Sequence, residues 1–285
     1  MSIIIHGGAG AGNKDIFDED MYNTALNNIM LNGVTLLKNN TNANIIAVEL
    51  VKQLEDNYLF NAGIGATTNN QNNIFHDACF VNGTDLTYGS IALSNIIKNP
   101  IDLCYKISLN NSFMIAGNDN IKNYCSINNY PTINSNIFFH PYRKHIDNFY
   151  KDCGTVGCVV RDFNGNISAA TSTGGTHNKI PGRIGDTFIN GISTFADNNL
   201  GGISTTGKGE DIIKYHIASD IIFRYKYTDI TLDKSISLSL NNIKTSCGII
   251  AIDKNGNIFS QSNTERFFRS YYNYKNDKII TKLWN

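Results

Sequence analysis

Gly154-Thr155-Val156-Gly157-Cys158-Val159-Val160-Arg161-Asp162-Phe163-Asn164-Gly165-Asn166-Ile167-Ser168-Ala169-Ala170-Thr171-Ser172-Thr173-Gly174-Gly175 decides how this 285-residue chain is read. Thr155 to Asp162 and Ile167 to Thr173 are rich in β-branched and small residues, and the Asn164-Gly165 step between them is a strong hairpin signal. One threonine opens the first strand and another ends the second. Pairing of the two strands therefore places Thr155 and Thr173 side by side.

Upstream of this hairpin, residues 136–152 follow Pro131 and contain Pro141, several aromatics and mixed charge. They read as a connector between two halves, and their apolar content implies that they pack. Met21, Ala25, Ile29, Gly33 and Leu37, with Leu26, Met30 and Val34 beside them, mark an amphipathic helix. Asn44 to Leu54 predicts a second helix. Short strands follow from Phe75, with a further helix near Asn99 to Ile107. At the start, Ser2 to Ile5 predict a short buried strand, and the glycine density of His6-Gly7-Gly8-Ala9-Gly10-Ala11-Gly12 predicts a loop. Downstream, Gly209 to Tyr225 reads as one helix, and a second hairpin, Cys247 to Asp253 with Asn257 to Gln261 around Asn255-Gly256, closes the fold. Strands and helices come in runs, so the class is a layered α+β fold, here a single domain.

Lysine plus arginine number 24, as do aspartate plus glutamate. No net field exists to hold a polyanion or an anionic membrane surface, so nucleic acid and membrane are not expected partners. No stretch approaches the roughly 18 apolar residues of a spanning helix, and Ile3-Ile4-Ile5 is far short of a signal-peptide core. A cytoplasmic location is expected. The six cysteines are scattered without zinc-site spacing, which predicts free, mostly buried thiols, with Cys153 the more exposed one. Neither His6-Gly7-Gly8 nor Thr206-Gly207-Lys208-Gly209 has phosphate-loop spacing.

Thr155 has chemical promise for a definite reason. A threonine hydroxyl is a weak nucleophile until a base takes its proton, and a free α-amine on the same residue is a base already in reach. Such an amine titrates near pH ~8. Exposing it requires the Gly154–Thr155 peptide to break, and a preceding glycine tolerates the strained backbone that this needs. Arg183 and Asp186, three apart in a glycine-bounded loop, suit a zwitterion: a guanidinium for the α-carboxylate and a carboxylate for the α-ammonium. Taken alone, each residue also has a plainer reading, as a strand threonine or a surface ion pair worth about 0–1 kcal/mol.

Together with His6-Gly7-Gly8-Ala9-Gly10, Phe60-Asn61-Ala62-Gly63-Ile64-Gly65-Ala66, Pro181-Gly182-Arg183-Ile184-Gly185-Asp186-Thr187 and Thr206-Gly207-Lys208-Gly209-Glu210, the central stretch resembles the plant-type asparaginase/isoaspartyl peptidase family, in order and nearly end to end. The resemblance implies a four-layer αββα sandwich of the N-terminal-nucleophile hydrolase type. It further implies autocleavage between Gly154 and Thr155 into 1–154, ending in the connector at 136–154, and 155–285. Thr155 is then the nucleophile, tuned by Thr173. Arg183 and Asp186 bind the aspartyl head group, Thr206 and Gly207 supply oxyanion donors, and Gly207 and Gly209 allow close approach of the substrate. Asn61 assists autocleavage and the oxyanion, or else braces its loop. No cofactor takes part in the chemistry. A structural sodium ion is implied on the main-chain carbonyls of Leu54, Glu55, Asn57, Phe60, Ala62 and Ile64. Expected substrates are L-asparagine and β-aspartyl dipeptides, and the expected assembly is a homodimer of cut protomers.

His6 reads as a core or loop histidine bordering the site, and His177 as incidental. Three features depart from the family pattern: Lys208 between the two glycines, a short connector, and Thr264-Glu265-Arg266 without the usual glycine. Lys208 and the short connector motivate a non-maturing scaffold as a competing reading; a glycosylasparaginase-like amidase and a protein-cleaving threonine aspartase are the enzyme alternatives, opposed by Thr173-Gly174-Gly175 and by Asp186 respectively.

Overall fold

The computed structural model describes residues 1–12, 17–110, 112–142 and 154–285. Cys153 and residues 143–152 of the connector lie outside them.

In chain order the strands are β1 (Ser2–Gly10), β2 (His76–Asn82), β3 (Tyr88–Ser94), β4 (Phe113–Ala116), β5 (Val156–Arg161), β6 (Ile167–Thr173), β7 (Thr194–Asp197), β8 (Gly201–Gly207), β9 (Cys247–Asp253), β10 (Ile258–Ser262), β11 (Arg266–Asn273) and β12 (Lys278–Trp284). The helices are α1 (Glu19–Lys38), α2 (Ala43–Glu55), α3 (Pro100–Asn110), α4 (Asn118–Ile127), α5 (Gly209–Tyr215), α6 (Ile217–Tyr227) and α7 (Leu232–Leu240). One sheet runs β12-β11-β1-β5-β6-β2-β3-β4 and a second runs β10-β9-β8-β7. The fold is thus mixed α and β with two sheets.

Alternation along β1 shows how the sheets are used. Ile3 and Ile5 share an apolar cluster with Leu26, Met30 and Leu50 of α1 and α2. Ile4 belongs instead to a cluster with Val159, Ile250 and Ile252. Successive strand side chains point to opposite faces, so one strand feeds two cores. A third cluster joins Ile203, Ile249 and Ala251 to Ile212, Ile221 and Ile236 of α5, α6 and α7.

Helix α1 starts where the Asp18 carboxylate accepts the Met21 amide at 3.0 Å, with Glu19 and Asp20 in its first turn and Lys38 in its last. Both choices suit the helix dipole. Its stripe of Leu26, Met30, Gly33 and Leu37 is buried, and a Cβ on Gly33 would lie 2.8 Å from the Leu50 side chain of α2. Glycine there lets the two helices meet.

The two hairpins read from Asn-Gly steps are closed by the same turn chemistry. Asp162 Oδ1 accepts the amides of Asn164 and Asn166 at 2.9 Å, and Asp253 Oδ1 accepts those of Asn255 and Asn257 at 2.9 and 2.8 Å. Gly165 and Gly256, each at φ 86°, complete the turns. An Asx turn followed by a left-handed glycine fixes both registers.

Three expectations are corrected. Residues 6–10 are strand, not loop: β1 continues to Gly10 between β11 and β5, with a bulge between His6 and Gly8. The glycines are there for space, since a Cβ on Gly7 would lie 2.5 Å from the Phe60 ring. The helix read over Gly209 to Tyr225 breaks at His216, which is left-handed at φ 51°. The Ala218 and Ser219 amides bond to the Ile192 and Gly191 carbonyls instead of back along a helix. Finally, a further hairpin, β11–β12, follows the β9–β10 hairpin and pairs with β1.

The thiols of Cys79, Cys104, Cys125, Cys158 and Cys247 are free and buried. Among the described residues no helix is long and apolar enough to cross a membrane.

Candidate active site

The register β5–β6 pairs Val156 with Ser172, so Thr155 and Thr173 stand opposite each other. Thr155 Oγ1 donates to Thr173 Oγ1 at 3.1 Å, and Thr173 Oγ1 donates to the Gly154 carbonyl at 3.2 Å while accepting the Gly175 amide at 2.9 Å. Asn61 Nδ2 donates to the same Gly154 carbonyl at 2.7 Å and to the Gly175 carbonyl at 2.8 Å. The carbonyl preceding the threonine therefore sits between two donors that would stabilise negative charge on its oxygen.

Asn61 is itself fixed. Its Oδ1 accepts the Thr67 amide at 2.8 Å, and its main-chain carbonyl accepts the Gly174 amide at 2.9 Å. The amide orientation is settled by this pattern, because only the nitrogen can donate to two carbonyls. Close approach demands glycine on two sides: a Cβ on Gly8, at φ 114°, would lie 2.9 Å from Gly154 Cα, and one on Gly174 would lie 2.5 Å from Asn61 Oδ1.

The loop carrying Arg183 and Asp186 is tied to β2, where Asp77 Oδ2 accepts the Gly185 amide at 3.1 Å. Asp77 is also the register partner of Thr173. The Arg183 and Asp186 heads flank one glycine, since a Cβ on Gly209 would meet Asp186 Oδ1 at 2.6 Å and Arg183 Nη2 at 2.9 Å. Among the described residues they do not pair with each other. Arg183 instead donates from Nε and Nη2 to Glu210 Oε1 at 3.1 and 2.9 Å. Asp186 is buried with Oδ2 lacking a hydrogen bond at ordinary geometry, and burial pushes its carboxyl up to about 6, against the nearby Ser193 hydroxyl and the pull of the Arg183 guanidinium. Thr206, at the end of β8, is fully buried with its hydroxyl likewise unpartnered. Buried polar groups in native structures normally have partners. A ligand bearing an ammonium and an oxyanion would meet what these two atoms lack. Gly207 at φ 149° follows, its Cα side closed by the Ser246 carbonyl 2.2 Å from where a Cβ would fall.

His6 lies between the sheets with Nε2 2.8 Å from Ser204 Oγ, which is 2.8 Å from Thr171 Oγ1. Burial drives its pKa down to about 3, so the ring is neutral. His177, read as incidental, lies 3.0 Å from the Thr67 hydroxyl, one residue contact from Asn61. Two residues given no role from sequence also shape the site. Lys179, 7% exposed, donates to the Gly174 carbonyl at 2.6 Å and the Phe75 carbonyl at 2.9 Å. Glu210 holds Arg183. Glu210 stands in the Thr206 to Glu210 block, which was a usable signal; nothing in the spacing around Lys179 distinguished it.

Residues 54–66 wrap tightly around their own carbonyls. A Cβ on Gly63 would lie 2.1 Å from the Glu55 carbonyl, and one on Gly65 2.1 Å from that of Phe60. The carbonyls of Asn57, Phe60 and Ala62 each accept one backbone amide, which leaves each a second lone pair.

With this geometry in place, comparison with known proteins is direct. The asparaginase family model matches residues 1–145 and 128–281. A Bos taurus isoaspartyl peptidase/L-asparaginase is 32% identical over 271 residues, covering 89% of this chain and 87% of that protein. The Escherichia coli (strain K12) isoaspartyl peptidase is 31% identical over 308 residues, 99% of this chain and 95% of that protein. An isoaspartyl peptidase/L-asparaginase of Xenopus laevis is 30% identical over 99% of this chain and 95% of its own length. The chain belongs to the asparaginase family.

Proposed function

We propose that this chain is an isoaspartyl peptidase with L-asparaginase activity, matured by cutting itself between Gly154 and Thr155 into 1–154 and 155–285. The observation that carries the reading is the cluster in which Thr173 Oγ1 and Asn61 Nδ2 both donate to the Gly154 carbonyl while Thr155 Oγ1 donates to Thr173 Oγ1. In the first reaction Thr155 Oγ1 attacks the Gly154 carbonyl carbon, the C–N bond breaks, and an ester forms as the proton passes to the departing amine. Water then hydrolyses the ester, freeing the Gly154 carboxylate and returning the Thr155 hydroxyl beside the α-amine that the first step released.

In turnover that amine takes the proton of its own hydroxyl. Thr155 Oγ1 attacks the side-chain carbonyl of the substrate, the proton is delivered to the departing ammonia or amine, and water releases aspartate from the β-aspartyl ester. Arg183 and Asp186 hold the α-carboxylate and α-ammonium around Gly209, which selects substrates linked through the side chain because both α-groups are then free. Thr206 and the Gly207 amide face the developing oxyanion. No cofactor enters this chemistry. We assign to a sodium ion the carbonyls of Leu54, Glu55, Asn57, Phe60, Ala62 and Ile64, where it would hold the loop that carries Asn61. Three separate apolar clusters support a four-layer αββα arrangement of the N-terminal-nucleophile type. The working unit in this reading is a homodimer of cut protomers.

The test is the intact mass of wild type beside Thr155→Ala, followed by assays on asparagine, β-Asp-Leu and glycosylated asparagine. Cutting in the wild type alone, with release of aspartate from the first two, is expected. An uncut chain in both makes the protein a scaffold, and activity on the glycosylated compound alone makes it a glycosylasparaginase.

A further inference from the structure

A cleft of about 690 Å³ opens beside the head-group site, and its wall includes Gly207, Lys208, Thr176, Lys244 and Glu265. Gly207 and Thr176 join it to the chemistry: the first follows Thr206, and the second follows the Gly174-Gly175 pair that Asn61 and Lys179 hold. Both lysines are exposed, and among the described residues neither forms an ion pair. Of the acidic groups nearby, Glu210 is committed to Arg183, and Asp211 accepts the Thr245 hydroxyl. Among the described residues Glu265 is the one carboxylate in the wall left to oppose two cations.

A substrate whose head group lies at Arg183, Asp186 and Gly209 must send its leaving group away from that pocket, and the open space past Gly207 is this cleft. Ammonia from asparagine would touch nothing there. The amino acid leaving a β-aspartyl dipeptide carries a carboxylate, the group that two unpaired ammonium ions attract. We infer that Lys208 and Lys244 form a carboxylate subsite for the leaving group, so that free-acid β-aspartyl dipeptides are favoured over asparagine and over β-aspartyl compounds with a blocked C-terminus. This rests on the activity proposed above. The lysines act on the portion of the substrate beyond the scissile bond and determine specificity without entering the bond-breaking step.

The experiment compares kcat/KM for β-Asp-Leu with that for its C-terminal amide, in wild type, Lys208→Gln, Lys244→Gln, the double variant and Lys208→Arg. Each variant is first shown by intact mass to have cut. The acid-to-amide ratio is internal to each protein, so a general loss of activity cancels. In wild type the acid is expected to be better by about fivefold, the scale of one exposed charge pair. The ratio should fall toward one in the glutamine variants and be kept by Lys208→Arg. A wild-type ratio near one, or a ratio that survives in the double variant, overturns the assignment while asparagine hydrolysis keeps the parent reading standing. A cut chain that hydrolyses neither asparagine nor the dipeptide brings down both.

Discussion

Replacing Asp186 by asparagine separates what this residue does for a substrate from what it costs the fold. In the folded chain burial raises its carboxyl from 3.8 to about 6. Below pH ~3.8 the group is protonated in both states and makes no difference. Between pH ~3.8 and ~6 the unfolded carboxyl ionises while the folded one stays protonated, so the fold loses stability across that window, and by the time the folded group ionises the loss has reached about 2 pKa units, or ~3 kcal/mol. Some ~2.5 kcal/mol of that loss falls between pH 4 and pH 8. Asparagine keeps the shape and cannot ionise, so its stability profile should lack that step. The assay is urea unfolding at both pH values in a Thr155→Ala background, which keeps every sample uncut, with and without Asp186→Asn. Other titrating groups cancel in the double difference. Parallel pH profiles, differing by less than about 0.5 kcal/mol, would refute the claim that Asp186 is a carboxylate held at the fold's expense.

Asn61→Ala removes one of two donors on the Gly154 carbonyl and should slow appearance of the 155–285 fragment roughly 100-fold, the usual effect of one oxyanion donor; an unchanged half-time in a mass time course would sink the role. Glu210→Gln frees Arg183 from a partner that is 56% exposed at its side chain, so KM for asparagine should rise about fivefold with kcat little altered. A fall in kcat alone would place Glu210 in the chemistry instead. Gly33→Val should lower stability by about 1–3 kcal/mol through overpacking against Leu50 and Ile3, read from the urea midpoint, and a midpoint equal to wild type would show that α1 and α2 can separate at little cost.

How much of this was legible varies with how local the cause is. The Thr155–Thr173 contact was readable because Asn164-Gly165 fixes the hairpin and the strand lengths then fix the pairing. The stripe from Met21 to Leu37 was readable for the same reason, since a period of four names a buried face without reference to the rest of the chain. By contrast, His6 to Gly10 read as loop because glycine disfavours strands, and the preference was overridden by neighbours 150 and 260 residues away in sequence: Gly157 of β5 and Arg269 of β11 pair with His6. The break at His216 left no mark in the apolar period, because the Gly191 and Ile192 carbonyls that take up the amides of the new helix are distant. The last hairpin lacked a glycine to announce it, as Asp277 adopts the left-handed turn conformation at φ 43°. Lys179 and His177 acquire their roles only once folding brings residues 61–75 against 174–179.

The two halves of the site should also come apart under mutation. Asn61 and Thr173 both donate to the Gly154 carbonyl, and Thr173 also accepts from the Thr155 hydroxyl, so changes there should impair maturation and turnover together. Arg183 and Asp186 flank Gly209, and among the described residues neither side chain hydrogen-bonds the Gly154 peptide, which carries neither an α-ammonium nor an α-carboxylate at that point. Their charges have nothing to bind until a substrate arrives. Arg183→Gln and Asp186→Asn should therefore cut at close to the wild-type rate and yet lose about 100-fold in kcat/KM for asparagine, as expected when one partner of a buried charge pair is removed. Both quantities come from one preparation, by mass for the cut and by aspartate release for the turnover. If cutting slows in step with turnover in these variants, the head-group pocket is shaping the nucleophile itself, and the division between a maturation cluster and a recognition pair fails.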